Sequence, residues 1–315
     1  MTKIATIKIM PTKKRHHTIP RSYLEGFADA NGHVWVLDTN NKIFSTNPIN
    51  VLVEHHFYRI TLKNGEKSVV VEDTLANIEG AYVNIFKNKI SRDQFLTDEE
   101  RATVAIFFSA MIHRTKPYRE SMKDMLERLK GSMQEWKKQF ESNPEAKRVS
   151  SAIPSSGTSI SLEELESGLE DFDEHHSAGL IPQIISTAQF IFNMKWAVWK
   201  YPEGEGAFVT SDNPLVVMRP ASIKKYGKNS FGSRPGLVFK DVEITLPLSK
   251  DRLLLAGWIL NKDSYIEVPV KIAENINQRT ILNSSERLIS SNEKQLIEIR
   301  EKYPSKSQQS FTDKA

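Results

Sequence analysis

The stretch that decides the fold runs from Thr97 to Arg114 and reads TDEERATVAIFFSAMIHR. Thr97 and Glu100 have the spacing of a capping box, in which each side chain accepts a hydrogen bond from the other residue's backbone N–H. The run from Ala102 to Ile112 is almost wholly apolar, and a helix that is apolar on all sides is buried inside its domain. The sequence therefore predicts a central helix that ends near Arg114, before Pro117.

The residues before this helix predict a second helix and a small sheet. From residue 71 to about residue 90, apolar residues recur at the helical period. The face of this helix is formed by Leu75, Ile78, Tyr82, Ile85 and Phe86. Further upstream, residues 33–61 alternate in polarity between turn signals. We therefore expect a strand-rich segment over residues 15–70, with a small antiparallel sheet, and a helical segment over residues 71–148.

A long amphipathic helix is predicted directly after the central one. Its apolar stripe consists of Met122, Met125, Leu129, Met133, Trp136 and Phe140. Spacings of three and four residues place these side chains on one face, and such a stripe is far more often a packing surface than a cofactor site. The serine-rich residues 149–161 predict a mobile linker. Ser161 and Glu164 then form a second capping box, which begins a helical segment over residues 162–195.

The second half of the chain predicts mainly β-structure. Between residues 196 and 270, short runs of β-branched and aromatic residues are separated by Gly, Pro, Asn and Asp. Residues 272–300 are predicted to be helical, and residues 305–315 to be a disordered tail. The fold class is therefore α+β, with an N-terminal strand segment, a helical middle and a mainly antiparallel C-terminal β region with terminal helices. We interpret residues 1–300 as one composite domain.

Composition narrows the possible compartments and partners. The chain of 315 residues has no cysteine, which excludes disulfides, thiolate metal sites and cysteine nucleophiles. No apolar run approaches the roughly 20 residues that cross a bilayer. The first ten residues carry lysines where a signal peptide would be apolar. We therefore expect a cytoplasmic protein without a membrane partner.

The charge of the chain is small in sum but unevenly distributed. The formal net charge is +4. The basic residues collect near the N-terminus, at Lys13, Lys14, Arg15 and Arg21, and in a predicted loop, at Lys224, Lys225 and Lys228. Such clusters suit the phosphates of a nucleic acid or of another phosphate-bearing ligand. Solvated lysines on a mildly basic protein would give the same pattern.

Histidine doublets mark the first candidate site. Six of the eight histidines lie in pairs, at residues 16–17, 55–56 and 175–176. Neighbouring side chains point to opposite faces of a strand and diverge by about 100° on a helix, so a doublet offers one usable imidazole rather than a metal clamp. In the first pair we expect His17 to be the functional residue and His16 to be its partner.

A tight polar turn marks the second candidate site. The residues Thr210-Ser211-Asp212-Asn213-Pro214 follow a predicted buried strand and present Asp212 at its end. In one interpretation, Asp212 accepts local backbone N–H groups as a structural Asx-type residue. In the other, it is a carboxylate that binds a metal or a substrate hydroxyl, with Ser211 and Asn213 as neighbouring binding residues.

Two glutamates and an arginine mark the third candidate site. Glu72 and Glu79 are separated by about two helical turns, so both carboxylates lie on one face. Glu79 is close to the apolar stripe, and a buried carboxylate needs a cationic or hydrogen-bonding partner. Arg114, at the end of the central helix, is the natural partner. A structural bridge between two helices and a functional site fit this pattern equally well.

Common catalytic signatures are absent from the sequence. It contains no Walker-type phosphate loop and no Gly-x-Gly-x-x-Gly after a strand. It also contains no His-Glu-x-x-His and no Gly-x-Ser-x-Gly. These absences argue against the common nucleotide-binding, zinc-protease and serine-hydrolase folds.

Taken in order, the motifs resemble a bacterial family known as domain of unknown function 4238. They are His17-x-x-Pro20-x-x-Tyr23-Leu24-x-x-Phe27, Phe57-Tyr58, Glu72 with Glu79, Arg114, Thr210 to Pro214, and Pro247-Leu248. The similarity extends over about residues 15–290. It implies that the histidine, the helical glutamates, the arginine and the polar turn form a single composite site, to which Tyr23 is added as a binding residue. It implies no established activity.

Two functions fit this set of residues. The first is a metal-dependent phosphodiesterase or nuclease, in which Glu72, Glu79 and Asp212 bind Mg²⁺ or Mn²⁺. In that enzyme His17 is the general acid or base, and Arg114 binds phosphate. The second is a non-catalytic module that recognises an anion or a nucleic acid in a stress or phage-defence setting. Geometry distinguishes them, because metal-binding carboxylate oxygens converge on one point, whereas structural carboxylates each have their own partner.

Overall fold

The computed structural model describes residues 15–55, 60–61, 67–68, 70–143, 160–220 and 235–304. Some predicted features lie outside these ranges. They are the Phe57-Tyr58 motif, residues 149–159 of the linker, the tail at 305–315, and the lysines at positions 13, 14, 224, 225 and 228.

Helices and strands follow one another in an α+β order, as predicted. The helices are α1 (Arg21–Leu24), α2 (Val70–Asn88), α3 (Asp98–His113), α4 (Lys116–Ser142), α5 (Leu162–Glu170), α6 (Phe172–Asn193), α7 (Val270–Asn283) and α8 (Glu293–Lys302). The strands are β1 (Arg15–His17), β2 (Val34–Asp38), β3 (Ile43–Thr46), β4 (Val53–His55), β5 (Ile60–Thr61), β6 (Lys67–Ser68), β7 (Lys195–Lys200), β8 (Thr210–Ser211), β9 (Val216–Met218), β10 (Glu243–Pro247), β11 (Arg252–Gly257), β12 (Ser264–Glu267) and β13 (Arg287–Ser290).

Helix α3 is the buried central helix that its sequence predicts. The capping box is formed, since the Thr97 hydroxyl accepts from the Glu100 N–H at 3.2 Å and the Glu100 carboxylate accepts from the Thr97 N–H at 2.9 Å. Phe107 and Phe108 are completely buried. The ring of Tyr82, on α2, stacks on Phe107 with 3.7 Å between the ring centroids. Helix α6 also packs against α3, so α3 contacts both α2 and α6.

Two larger sheets contribute residues to the same apolar core as the helices. The first has the strand order β12-β7-β11-β10-β9 and is antiparallel except for β12, which runs parallel to β7. The second has the order β3-β2-β13-β8 and is wholly antiparallel. Strands β1 and β4 form a separate two-stranded ribbon. One apolar cluster contains Leu24, Val36, Phe107, Leu246 and Ile289, so all these parts share a core.

The region after residue 270 differs from the helical segment that we expected over residues 272–300. Arg287–Ser290 form strand β13, between helices α7 and α8. In the four-stranded sheet β13 lies between β2 and β8, and its residues Leu288, Ile289 and Ser290 are buried. This strand was missed because four residues are too few to show a period of two, and the helical patterns on both sides dominate the sequence window.

Helix α7 holds the chain before the polar turn through a buried asparagine. Asn277 accepts a hydrogen bond from the Val209 N–H at 3.0 Å and donates one to the Ala207 carbonyl at 2.9 Å. The side-chain amide of Asn277 therefore supplies the hydrogen bonds that a neighbouring strand would make to Ala207 and Val209. The carbonyl of Ala207 also accepts a bond from Gln295, on α8, at 2.7 Å. Helices α7 and α8 thus hold the chain segment that leads into the polar turn.

None of the described helices is both long and apolar enough to span a membrane.

Asn277→Leu should destabilise the fold strongly, because it leaves the buried N–H of Val209 without an acceptor. An unsatisfied buried donor costs about 1–3 kcal/mol. Asn275 lies exposed on the same helix, so Asn275→Leu is the matched control and should leave the free energy of unfolding nearly unchanged. Urea unfolding followed by circular dichroism measures both variants. Equal stabilities of the two variants would show that Asn277 does not hold the turn.

Candidate functional site

The N-terminal histidines lie on the ribbon of β1 and β4. His16 pairs with Glu54 and His17 with Val53 in the antiparallel register. The Nδ1 atom of His16, which is buried, lies in contact with the carboxylate of Glu72, on α2. The Nε2 atom of His17 lies 3.2 Å from the carbonyl of Ile49. The two imidazoles thus have separate partners, as expected for neighbouring residues on a strand.

Arg114 joins three elements of the fold. It caps the C-terminal end of α3, and its side chain is only 4% exposed. One end of its guanidinium donates to the carboxylate of Glu79, on α2, and the other donates to the backbone carbonyl of His17 at 2.6 Å. The predicted pairing of Glu79 with Arg114 is therefore present. Together with the hydrogen bond to the His17 carbonyl, this pairing connects α2, α3 and β1.

Tyr23 links the N-terminal motif to the second half of the chain. Its hydroxyl donates to the Pro247 carbonyl at 2.6 Å and lies 2.8 Å from the Thr210 hydroxyl. The ring is buried, and this burial raises the pKa of the Tyr23 hydroxyl well above its ordinary value. Tyr23 therefore stays neutral and serves as a hydrogen-bond donor at the start of the polar turn.

Asp212 adopts the Asx-type role that was one of the two interpretations of the turn, but toward residues that are distant in sequence. Its carboxylate accepts three backbone N–H groups, from Ser285 and Glu286 at 3.0 Å each and from Arg287 at 3.2 Å. Burial raises the pKa of the Asp212 carboxyl, and the three N–H groups act against that rise. Asp212 therefore fixes the loop that leads from α7 into β13.

Ser211 and Asn213 also make structural contacts. The Ser211 hydroxyl accepts the Asn213 N–H at 3.1 Å. The Asn213 side chain donates to the Asn283 carbonyl at 3.0 Å, and the Asn283 side chain donates to the Asn213 carbonyl at 2.7 Å. The polar turn and the end of α7 are thereby joined by reciprocal amide bonds.

The carboxylates that we expected to bind Mg²⁺ or Mn²⁺ are directed to different partners. Glu72 pairs with His16, Glu79 with Arg114, and Asp212 with backbone N–H groups. Within the described ranges, no three His, Asp or Glu residues form a group suited to a metal ion. Each carboxylate already has a donor that compensates its burial, so the structure does not bring the expected metal ligands together.

A small cleft lies where these motifs meet. Its lining consists of Thr18, Leu52, Val53, Glu54, Lys116, Asp212, Glu286 and Arg287. Thr18 follows His17 in the ribbon, and Lys116 begins α4 just after Arg114. The structure thus brings Asp212 to the cleft, together with the chain segments that follow His17 and Arg114. Glu79 and Tyr23 are not among the lining residues.

Two cations that are not among the expected site residues line this cleft. Lys116 forms an ion pair with Glu286, and that hydrogen bond raises the pKa of the Lys116 ammonium. Arg287 is partly buried, and its guanidinium makes no hydrogen bond or ion pair to the residues that the structure describes. Arg287 falls in the segment 272–300 that the sequence predicts to be helical. Recognising Arg287 as a cleft residue would have required a prediction of the short strand β13.

A comparison with protein-family models places these observations in a family. Residues 15–294 match the model described as "Protein of unknown function (DUF4238)". The chain belongs to this family. The match covers every motif discussed above, from the N-terminal histidines to β13. Searches for similar curated proteins and for similar solved structures found no match.

The third histidine doublet lies on α6, and neither of its residues lines the cleft. His175 is exposed, whereas His176 is buried against the rings of Phe172 and Tyr118. The Nε2 atom of His176 has no hydrogen-bond partner among the described residues. Burial lowers the pKa of His176 to about 4, and the charge of Arg119 adds to this shift. His176 is therefore neutral in the folded protein near neutral pH.

Tyr23→Phe should destabilise the protein, and Tyr82→Phe should not. The first change removes a hydroxyl that satisfies the buried Pro247 carbonyl, which costs about 1–3 kcal/mol. The second removes a buried hydroxyl that has no hydrogen-bond partner among the described residues. Replacing an unsatisfied polar group by a hydrogen is neutral or stabilising. Thermal melts of both variants test this pair, and the opposite order of stabilities would contradict the assigned hydrogen bonds.

The stability of the protein should fall as the pH drops from the ordinary histidine pKa of 6.5 toward the folded pKa of about 4. In that window the unfolded chain takes up a proton at His176 and the folded chain does not, so protonation favours unfolding. His176→Leu should therefore flatten the dependence of the melting temperature on pH. The exposed His175→Leu is the control, and it should keep the dependence of the parent protein. An unchanged slope in His176→Leu would rule out His176 as its source.

Proposed function

We propose that this protein is a non-catalytic recognition module that binds a phosphate-bearing ligand in the cleft between the β1–β4 ribbon and the start of β13. The observation that carries the proposal is Arg287, which lines the cleft and whose guanidinium makes no hydrogen bond or ion pair to any described residue. A partly buried charge without a partner is costly, and a ligand anion would remove that cost.

The chemistry of the cleft suits phosphate. A guanidinium presents planar, paired N–H donors that match two phosphate oxygens, and a lysine ammonium adds a point charge. Lys116 lines the same cleft and is 40% exposed, so its charge is accessible to a ligand. An incoming phosphate would compete with Glu286 for Lys116 and would bind Arg287 directly.

The acidic residues of the cleft limit the ligand further. Glu54, Asp212 and Glu286 lie beside the two cations. A ligand with phosphates on all sides would be repelled by these carboxylates, whereas hydroxyl or amino groups next to a single phosphate would donate to them. A mononucleotide, or one nucleotide of a single strand, has this combination of groups.

The positions of the carboxylates favour recognition over metal-dependent phosphodiester cleavage. For Glu72, Glu79 and Asp212 to bind one metal ion, each would have to leave its present partner. Removing the partner of a buried charge costs about 3–5 kcal/mol. Arg114 and Glu79 serve the recognition module as they stand, because they hold the ribbon that forms one wall of the cleft.

Arg287→Gln should weaken ligand binding by roughly tenfold to a hundredfold, the effect of losing one charge-assisted pair of about 1.5–3 kcal/mol. Calorimetric titrations with inorganic phosphate, a mononucleotide and a short single-stranded RNA measure this effect. Arg92→Gln is the matched control, because Arg92 is exposed and is not part of the cleft lining. It should bind as the parent protein does.

A nucleic-acid cleavage assay with and without metal ions distinguishes recognition from cleavage. Labelled RNA and DNA are incubated with the protein in Mg²⁺, in Mn²⁺ and in a chelator. The recognition module leaves both substrates intact and binds equally well with the chelator. Cleavage that needs the metal and is lost in Glu79→Gln, in a variant that melts normally, would overturn the proposal in favour of the phosphodiesterase. Binding by none of the probes, or unchanged binding in Arg287→Gln, would also overturn it.

A further inference from the structure

Helix α4 is unusually exposed for its length. It spans 27 residues, and none of the side chains from Lys116 to Ser142 is buried. Most of the stability of a helix in a protein comes from packing one of its faces. Helix α5 packs on one side, where Gln134 and Lys130 contact Glu166 at 3.1 and 3.5 Å. The neighbouring face of α4 is exposed among the residues that the structure describes.

The open face carries an apolar stripe. Met125 is 53% exposed and Trp136 is 67% exposed, and Leu129 and Phe140 lie on the same face. An exposed tryptophan within such a stripe is the type of residue that dominates the binding energy of protein interfaces. The stripe repeats at intervals of eleven residues, from Met125 to Trp136 and from Leu129 to Phe140. An eleven-residue period of 3.67 residues per turn keeps the stripe nearly straight along the helix.

We infer that α4 binds α4 of a second copy of this chain, antiparallel, about a two-fold axis near Gly131. A two-fold interface must be self-complementary, so that residue i meets residue j and j meets i. An axis near Gly131 places Met125 of one copy against Trp136 of the other, and Met122 against Phe140. Both layers thus pair a methionine with an aromatic ring, a contact that sulfur favours.

The charges beside the stripe agree with this register. Arg128 and Glu135 lie on the flank away from α5, and neither forms an ion pair with a described residue. The same two-fold axis brings Arg128 of each copy next to Glu135 of the other. A parallel arrangement would instead place this flank of the two copies on opposite sides of the interface, so that Arg128 of one copy would not meet Glu135 of the other. Ser132, close to the axis and at the edge of the stripe, is small enough to let the two helices approach closely.

Sedimentation equilibrium over a wide range of protein concentration tests for the dimer. The parent protein should dimerise, and Trp136→Glu should raise the dissociation constant by roughly thirtyfold or more, as expected for a central aromatic residue. Ile259→Glu is the matched control, because Ile259 is 66% exposed outside α4. It should dimerise like the parent. A parent protein that stays monomeric at all concentrations, or a Trp136→Glu variant that dimerises normally, would overturn the proposal.

Charge reversal and cross-linking test the antiparallel register. Arg128→Glu and Glu135→Arg should each weaken the dimer, and the double variant should recover it. Because the chain has no cysteine, single cysteines can be introduced cleanly. A short bismaleimide should link two copies of Ser132→Cys, near the axis, but not two copies of Ser121→Cys, which lies on the same side of α4 three turns earlier. Cross-linking of both variants would show a parallel pair and contradict the proposed arrangement.

Discussion

The buried guanidinium of Arg114 is the interaction on which the rest of the site depends. A charge that is almost fully removed from water is tolerated only when its donors are satisfied, and here Glu79 and the carbonyl of His17 satisfy them. These two partners come from different elements, so the cost of leaving the charge unpaired fixes α2 and β1 relative to the end of α3. The ribbon that carries the histidines therefore has one favoured position against the helical core.

A second fixed point lies on the opposite wall of the cleft. Asp212 binds three consecutive backbone N–H groups and thereby sets the path of the chain into β13. Tyr23 connects the two walls, because it belongs to the N-terminal motif and donates to a carbonyl beside the polar turn. The motifs of the family are thus mostly the framework of the cleft. The two cations among the lining residues, Lys116 and Arg287, are not part of those motifs.

Local patterns in the sequence were enough to predict the features that depend on local interactions. The capping box at Thr97, the burial of Phe107 and the pairing of Glu79 with Arg114 all follow from helical periodicity and from the cost of burying a charge. The partners of Asp212 could not be predicted, because residues 285–287 meet it only after the sheet has formed. Arg287 was missed for the same reason, since the strand that positions it is too short to show its own period and is defined by its neighbours β2 and β8.

The position of β13 between β2 and β8 also has a consequence for how the chain folds during synthesis. Strand β2 leaves the ribosome long before β13 exists, so one edge of the β2–β3 hairpin has no partner for most of translation. Pairings between segments that are distant in sequence form slowly, because a long loop must close before any bond is gained. The nascent protein therefore carries an open strand edge until β13 emerges between the last two helices.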